Sequence, residues 1–175
     1  MAPRLCGLCV AVVLGIAVPS RANSPWVLHA GAGVGIRETE YRGYGPAVPS
    51  ESSIGPVATA DIGVRLHSLV GFGLHVGAQQ VRVGKRVAFG EPDADDYLEL
   101  EAGVSVQASL HRFSVLPWIG VQSFDSHRQV AGGVTVGYDV LVFDRDRIGL
   151  FASGSYGGAW SNYYAACVGV GYRFW

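Results

Sequence analysis

The stretch Leu98–Leu110, LELEAGVSVQASL, alternates between two kinds of side chain. One set is apolar throughout: Leu98, Leu100, Ala102, Val104, Val106, Ala108 and Leu110. The other set is acidic, polar or small: Glu99, Glu101, Gly103, Ser105, Gln107 and Ser109. A period of two is typical of a β-strand whose faces meet different surroundings. The stretch therefore predicts a two-faced strand.

The same alternation recurs along the chain, and no convincing amphipathic helix interrupts it. We predict eight strands of about ten residues each. Their approximate bounds are 26–36, 57–67, 70–79, 98–110, 114–123, 130–140, 148–156 and 166–174. The fifth strand is apolar on both sides, and we place Val115, Pro117, Ile119 and Val121 on its outward face. The repeated pattern indicates an all-β chain.

The links between the predicted strands alternate in length. Those after strands one and three are long, at 37–55 and 84–96, and those after strands five and seven are moderate, at 124–128 and 157–162. Those after strands two, four and six are short, at 68–69, 111–113 and 143–147. Outer-membrane barrels have short periplasmic turns and longer extracellular loops. The link lengths therefore favour a membrane barrel over a soluble sandwich.

The composition of the two faces indicates which one meets lipid. An eight-stranded barrel has an interior just wide enough for side chains, which suits glycine, serine and threonine. Rows of leucine and valine suit lipid, where a closed barrel satisfies every backbone group. We predict an eight-stranded antiparallel up-and-down transmembrane β-barrel, with a soluble lipocalin-like barrel as the alternative. Outer-membrane barrels carry aromatic girdles at both interfaces. In the predicted barrel, the periplasmic rim has Trp26, Tyr172 and Phe174, and the outer rim has Tyr97 and Tyr156, whereas Trp118 falls mid-strand.

The first residues have the organisation of an export signal. Met1–Arg4 is basic, and Leu5–Val18 is apolar but shorter than the roughly 20 residues of a membrane-spanning helix. Ser20-Arg21-Ala22 then places small residues around a cleavage site. We predict a cleaved signal peptide at 1–22, a barrel domain at 23–175 and location in a bacterial outer membrane. Cys167 alone remains after cleavage, so the barrel has no internal disulfide.

Two short motifs resemble a known family. The chain ends in Val168–Trp175, VGVGYRFW, and Pro117–Gly120 reads PWIG. Both resemble the OmpA-type family of small outer-membrane β-barrels, across residues 23–175. The resemblance implies that Tyr172, Phe174 and Trp175 form the signal recognised by the barrel-assembly machinery. Two departures are that Trp175 follows the usual last aromatic and that Gln122 replaces a second glycine.

Charged side chains fall on the predicted inner face. The predicted polar network of the lumen comprises Asp61, Arg65, His75, Glu99, Glu101, Asp139 and Arg173, beside His29 and His67. Charges in a narrow lumen must be paired, because an unpaired buried charge is costly. We interpret the network as a salt-bridged plug, with Arg65, His75 and Glu99 or Glu101 as its expected centre. A gated ion path through the same residues is the alternative.

Motifs for chemistry are weak. His29, His67 and His75 could ligate a metal by residue type, but no close ligand spacing supports such a site. The run Asp125-Ser126-His127 has the residue types of a hydrolase, yet adjacent loop residues seldom converge on one another. We expect no enzymatic activity, no metal and no cofactor.

The predicted outer loops suggest the partners. Residues 37–53 mix charges, tyrosines and prolines, and residues 84–96 are rich in charge. No basic block indicates nucleic acid. We expect contacts with membrane lipid, lipopolysaccharide and a host or surface ligand. The predicted function is a structural or surface-interaction role; the alternatives are a narrow porin-like channel and a lipid-modifying outer-membrane enzyme.

Overall fold

The structure, a computed structural model, describes residues 25–41, 51–84, 94–124, 127–158 and 161–175. Eight antiparallel strands each pair with the next, and β8 pairs with β1, so the sheet closes into a barrel. The strands are β1 (Trp26–Tyr41), β2 (Glu51–His67), β3 (Val70–Gly84), β4 (Ala94–Leu110), β5 (Phe113–Phe124), β6 (His127–Phe143), β7 (Asp146–Gly158) and β8 (Ser161–Phe174). The predicted eight-stranded antiparallel barrel is confirmed. Among the described residues, no helix is long and apolar enough to cross a membrane. The predicted signal peptide, 1–22, lies outside them.

The strands are longer than predicted. They contain 12 to 17 residues rather than about ten. Most of the added length lies away from the short turns: β1 continues to Tyr41 and β2 begins at Glu51, within the predicted first loop. Apolar alternation fades there, but backbone pairing continues, as between Arg37 and Ser53. About 9 to 11 tilted residues cross a bilayer core, so the remaining strand length extends beyond that thickness.

The links are sorted between the two ends of the barrel. At one end, which we call the turn end, β2–β3, β4–β5 and β6–β7 are joined by the two-residue turns 68–69, 111–112 and 144–145. The other end, the loop end, carries residues 42–50, 85–93, 125–126 and 159–160, which lie outside the described residues. The predicted short links therefore all lie at one end.

The pairing register fixes the tilt of the strands. Followed once around the barrel, the row of paired residues that starts at His29 passes Asp61 and His75 and returns to β1 at Thr39, ten residues further along. With eight strands, this stagger corresponds to a tilt of about 40°. Because of the tilt, residues that meet inside the lumen are several positions apart in register.

The two faces have opposite character. Rows of apolar side chains cover the outside, including Val104 at 53% exposure and Ile119 at 62%. Leu116, Trp118 and Phe151 point inward with polar groups and are buried. The predicted outward face of β5 is confirmed, because Val115, Pro117, Ile119 and Val121 are all exposed. Pro117 lacks an N–H group, and pairing between β4 and β5 is interrupted beside it.

Aromatic placement agrees with the prediction in part. Trp26 and Tyr156 are exposed near the turn end and the loop end, respectively. Phe174 has the outward phase but is only 1% exposed, and Tyr172 is half-buried, so the predicted periplasmic aromatic rim is wrong at Phe174. The guanidinium of Arg145 lies 4.4 Å from the Phe174 ring centre and covers it. The side chain of Tyr97 is outside the described residues.

Glycines make room for the large residues of the interior. A Cβ atom on Gly31 would lie 2.6 Å from Cε1 of Phe151, and one on Gly157 would overlap the ring of Tyr163. Both aromatic side chains are buried in the lumen. A side chain at either glycine would force an already packed interior apart.

Candidate functional site

The polar side chains of the lumen form three groups between the loop end and the turn end. The outer pair is Arg37 and Glu99. The central cluster is His29, Asp61, His75 and Glu101. The inner cluster is Asp139, Arg147 and Arg173. Each group combines opposite charges from different strands.

The outer pair joins β1 to β4 across the lumen. Arg37 forms an ion pair with Glu99, and both side chains are 1% exposed. The Arg37 guanidinium also lies 4.8 Å from the ring centre of Tyr163, which is fully buried. A cation over an aromatic face is favourable, more so when both are desolvated. The pair therefore neutralises charge and fills the barrel at the same point.

The central cluster is built around one histidine. His75 Nδ1 is 3.0 Å from Asp61 Oδ1, and His75 Nε2 is 3.8 Å from Glu101 Oε2. Asp61 also faces His29, with 3.6 Å between Oδ2 and Nδ1. Ser155 donates to Glu101 at 3.4 Å. Two carboxylates and two imidazoles thus share the narrow middle of the barrel.

The inner cluster centres on one carboxylate. Asp139 accepts from Arg173 and, at 3.1 Å, from Arg147. Arg173 also donates to Ser109 at 2.6 Å, and Arg147 donates to the backbone carbonyl of His111. The charge-assisted bonds connect β6, β7 and β8 with β4 and the β4–β5 turn. The lumen is crossed by side chains at this level.

The last residue folds across the turn end. The backbone N–H of Trp175 donates to the Arg145 carbonyl at 3.0 Å, and Arg145 Nε returns a bond to the Trp175 carbonyl at 2.7 Å. The indole N–H donates to the carbonyl of Ser68, in the β2–β3 turn, at 3.0 Å. Because β1 lies between β8 and β2, the indole spans β1 at the turn end. Trp175 also lies against Arg173 of the inner cluster, with 5.9 Å between guanidinium carbon and ring centre.

Little space remains beside the central cluster. A cavity of ≈ 20 Å³ has both polar and apolar lining residues, and the polar ones include Thr59, His75, Gln79 and Glu101. This volume is enough for about one water molecule. A larger solute would have to displace side chains that are already paired.

The structure separates some residues that the sequence analysis grouped. Asp61, His75 and Glu101 meet in one cluster, and Asp139 meets Arg173. Of the expected centre of Arg65, His75 and Glu99 or Glu101, His75 and Glu101 do meet, whereas Glu99 pairs with Arg37. Arg65 pairs with Gly71 at the turn end of β2, roughly 13 Å along the strand from Asp61.

Several lumen residues were missed by the sequence analysis. Arg37 lies on β1 and not in the predicted first loop, and it continues the inward phase of His29. Trp118 had no assigned role, yet it shares the phase of Leu116 and stacks on His75 with ring centres 4.4 Å apart. Arg147 lies within the predicted 143–147 link, yet on β7 it continues the inward phase of Gly149 and Phe151. Continued alternation was the available signal for all three.

The three histidines considered as metal ligands in the sequence do not lie together. His67 is exposed at the turn end and hydrogen-bonds to Ser68, apart from His29 and His75. Within the described residues, no group of three or more histidine, cysteine or acidic side chains could hold a metal ion. The Asp125-Ser126-His127 run cannot be placed, because Asp125 and Ser126 lie outside the described residues.

The barrel has solved counterparts. No protein-family model and no curated protein matches the chain by sequence. Ail, the attachment invasion locus protein of Yersinia pestis, aligns with a TM-score of 0.53 and 14% identity over 86% of this chain and 99% of Ail. Neisserial surface protein A aligns with a TM-score of 0.56 and 12% identity over 86% and 97%, respectively. At such identities the likeness shows the fold alone, and membership of the OmpA-type family stays a prediction.

Proposed function

We propose that this chain is an integral protein of a bacterial outer membrane, with a closed lumen and a structural or surface-interaction role. One observation supports the proposal most strongly: the barrel is apolar outside and charged inside. Exposed Val, Leu and Ile side chains surround the strands, whereas Asp61, Glu99 and Arg173 are buried within. A soluble small barrel has the reverse arrangement. Lipid is the solvent that suits an apolar exterior around a closed sheet.

The lumen supports a plug better than a channel. The outer pair, the central cluster and the inner cluster each place opposite charges in contact. Ions would have to break these pairs in a low-dielectric interior. We therefore favour a closed barrel over the porin-like alternative. We propose no enzymatic activity, including lipid modification.

The loop end is the part of the molecule available to partners outside the cell. Strands β1 to β4 extend toward that end beyond the length needed to cross lipid. Ail has also been solved in complex with the heparin analogue sucrose octasulfate, with a TM-score of 0.53 and 12% identity over 84% of this chain and 99% of Ail. This precedent makes a sulfated polysaccharide a suitable first ligand to test. Lipopolysaccharide and the barrel-assembly machinery are the other proposed partners.

The surface role can be tested on cells. Bacteria that export this chain are compared with bacteria that export a variant whose residues 42–50 and 85–93 are replaced by Gly-Ser linkers. We expect the unaltered chain to increase retention on heparin-coated surfaces and the variant to lose that increase. Equal retention, with both proteins present in the outer membrane, would contradict this surface role.

The closed lumen is tested separately in planar bilayers. We expect no steady single-channel steps from the purified barrel at about pH 6, below the ordinary histidine pKa. Steady steps would favour the porin-like alternative. Release of acyl chains from lipid A by the purified protein would favour the enzyme.

A further inference from the structure

We propose that the lumen holds one ordered water molecule over Gly77. Its ligands are the four polar side chains around this glycine, from Thr59 of β2, His75 and Gln79 of β3 and Glu101 of β4. Such a water is a fixed part of the closed lumen, and it joins the central cluster to Thr59 and Gln79. The site is a property of the folded interior and does not depend on a surface role.

The pairing register places Gly77 at the centre of a cross of polar residues. On one side Gly77 pairs with Thr59, and on the other side it pairs with Glu101. His75 and Gln79 lie two residues before and after it on β3, so their side chains share its inward face. Because Gly77 is buried and has no side chain, the space between its four neighbours stays open.

The open space has the size and position that a water molecule needs. A Cβ atom on Gly77 would lie 2.9 Å from Glu101 Oε2 and 3.5 Å from His75 Nε2. An oxygen atom near this point is within hydrogen-bond reach of the carboxylate. The cavity of ≈ 20 Å³ admits about one water molecule.

Three buried polar atoms around the cavity need a partner. Among the described residues, Thr59 Oγ1, His75 Nε2 and Gln79 Nε2 have no hydrogen-bond partner. Their residues are 9%, 2% and 8% exposed, respectively. Buried polar groups nearly always bond to protein or to ordered water, because an unsatisfied one is costly. Since all three residues line one cavity, a single small ligand satisfies them together.

The hydrogen-bonding groups around Gly77 complement water. His75 Nε2 is 3.8 Å from Glu101 Oε2, which is beyond direct reach and typical of a contact that water mediates. Water has two hydrogens and two lone pairs; Glu101 accepts one hydrogen, and the Gln79 amide donates to one lone pair. Nε2 offers a lone pair in the neutral ring and an N–H group in the charged ring. Water complements either form, because the Thr59 hydroxyl can donate or accept in turn.

The water is detected by NMR on the unaltered protein in lipid nanodiscs. Cross-relaxation between water and the side-chain amide protons of Gln79 is measured by paired NOE and ROE spectra. We expect cross peaks with the sign that marks a water molecule tumbling with the protein. Their absence, or the sign of rapidly exchanging solvent, would overturn the proposal.

Two glycine variants test the position of the water. Gly77→Ala places a methyl group at the proposed site, and its close contact is with the flexible end of Glu101, so the barrel should still fold. We expect this variant to lose the Gln79 cross peaks. Gly154→Ala is the matched control, because Gly154 does not line the cavity and its Cβ would have no neighbour within 3.9 Å. Cross peaks that persist in folded Gly77→Ala would contradict the site, and the unaltered chain decides if that variant does not fold.

A bound cation is distinguished from water by exchanging the salt. A cation could use the oxygens of Glu101 and Thr59, but it would not complement the amide hydrogens of Gln79. We expect the side-chain shifts of Gln79 and Glu101 to be the same in sodium and in potassium buffer. Shifts that follow the cation would place an ion at the site and overturn the water. Neither result bears on surface retention or bilayer conductance, which test the proposed function separately.

Discussion

Removing the Arg37 guanidinium leaves Glu99 as an unpaired carboxylate inside the barrel. Both side chains are 1% exposed, so water cannot replace the lost partner without repacking. Loss of one member of a buried pair costs about 3–5 kcal/mol. The contact with Tyr163 adds to the loss, by roughly 0.5–2 kcal/mol. We expect Arg37→Met, which keeps much of the side-chain length, to lower the free energy of unfolding by at least about 3 kcal/mol.

The double variant separates loss of the pair from loss of packing. Arg37→Met with Glu99→Met has no unpaired charge, and we expect its stability to return to within about 1–2 kcal/mol of the unaltered chain. The assay is equilibrium urea unfolding in lipid vesicles, followed by tryptophan fluorescence and gel mobility without boiling. A loss below about 1 kcal/mol for Arg37→Met would indicate a solvated pair and refute the reasoning. Failure of the double variant to recover would do the same.

Two further predictions use the same unfolding assay. Val104 is mid-strand, 53% exposed and faces lipid, so Val104→Arg should lower the free energy of unfolding by about 2–4 kcal/mol. Leu66→Arg, near the turn end, should lower it by only about 0–1 kcal/mol. Equal losses would count against a depth-dependent lipid contact. Gly157→Ala should cost about 1–3 kcal/mol, because its Cβ would overlap Tyr163. Gly154→Ala is the matched control, since its Cβ would lie 3.9 Å from its nearest neighbour. A similar loss of unfolding free energy for both variants would show that the clash at position 157 is relieved.

The faces and the order of the strands could be predicted from the sequence, because alternation is a local property. Leu98–Leu110 shows its apolar and polar sides directly, and short turns mark where strands reverse. The strand ends were not predicted, because the outward side chains of β1 beyond Ile36 are no longer apolar, although Arg37 keeps the inward phase of His29. Arg37 was missed for this reason.

The partners inside the lumen depend on the tilt of the strands, which no single segment encodes. Arg37 and Glu99 are far apart in the chain, and their rows in the sheet differ; the stagger of the closed barrel brings them together. Arg65 lies at the turn end because it is two residues from the end of β2, whereas Glu99 lies in the half of β4 nearer the loop end. Phe174 has an outward phase but is covered by Arg145 of a neighbouring turn, a contact that alternation does not describe.

The most direct test of the inverted barrel is the environment of position 104. In a Cys167→Ser background, a bimane fluorophore is attached to Val104→Cys. The control carries the fluorophore on Leu69→Cys, in the β2–β3 turn. Each protein is folded into vesicles that contain chain-brominated lipid. We predict strong quenching by the lipid at position 104, little at position 69, and the opposite order with aqueous iodide. Quenching at position 104 by iodide but not by brominated lipid would contradict the membrane barrel.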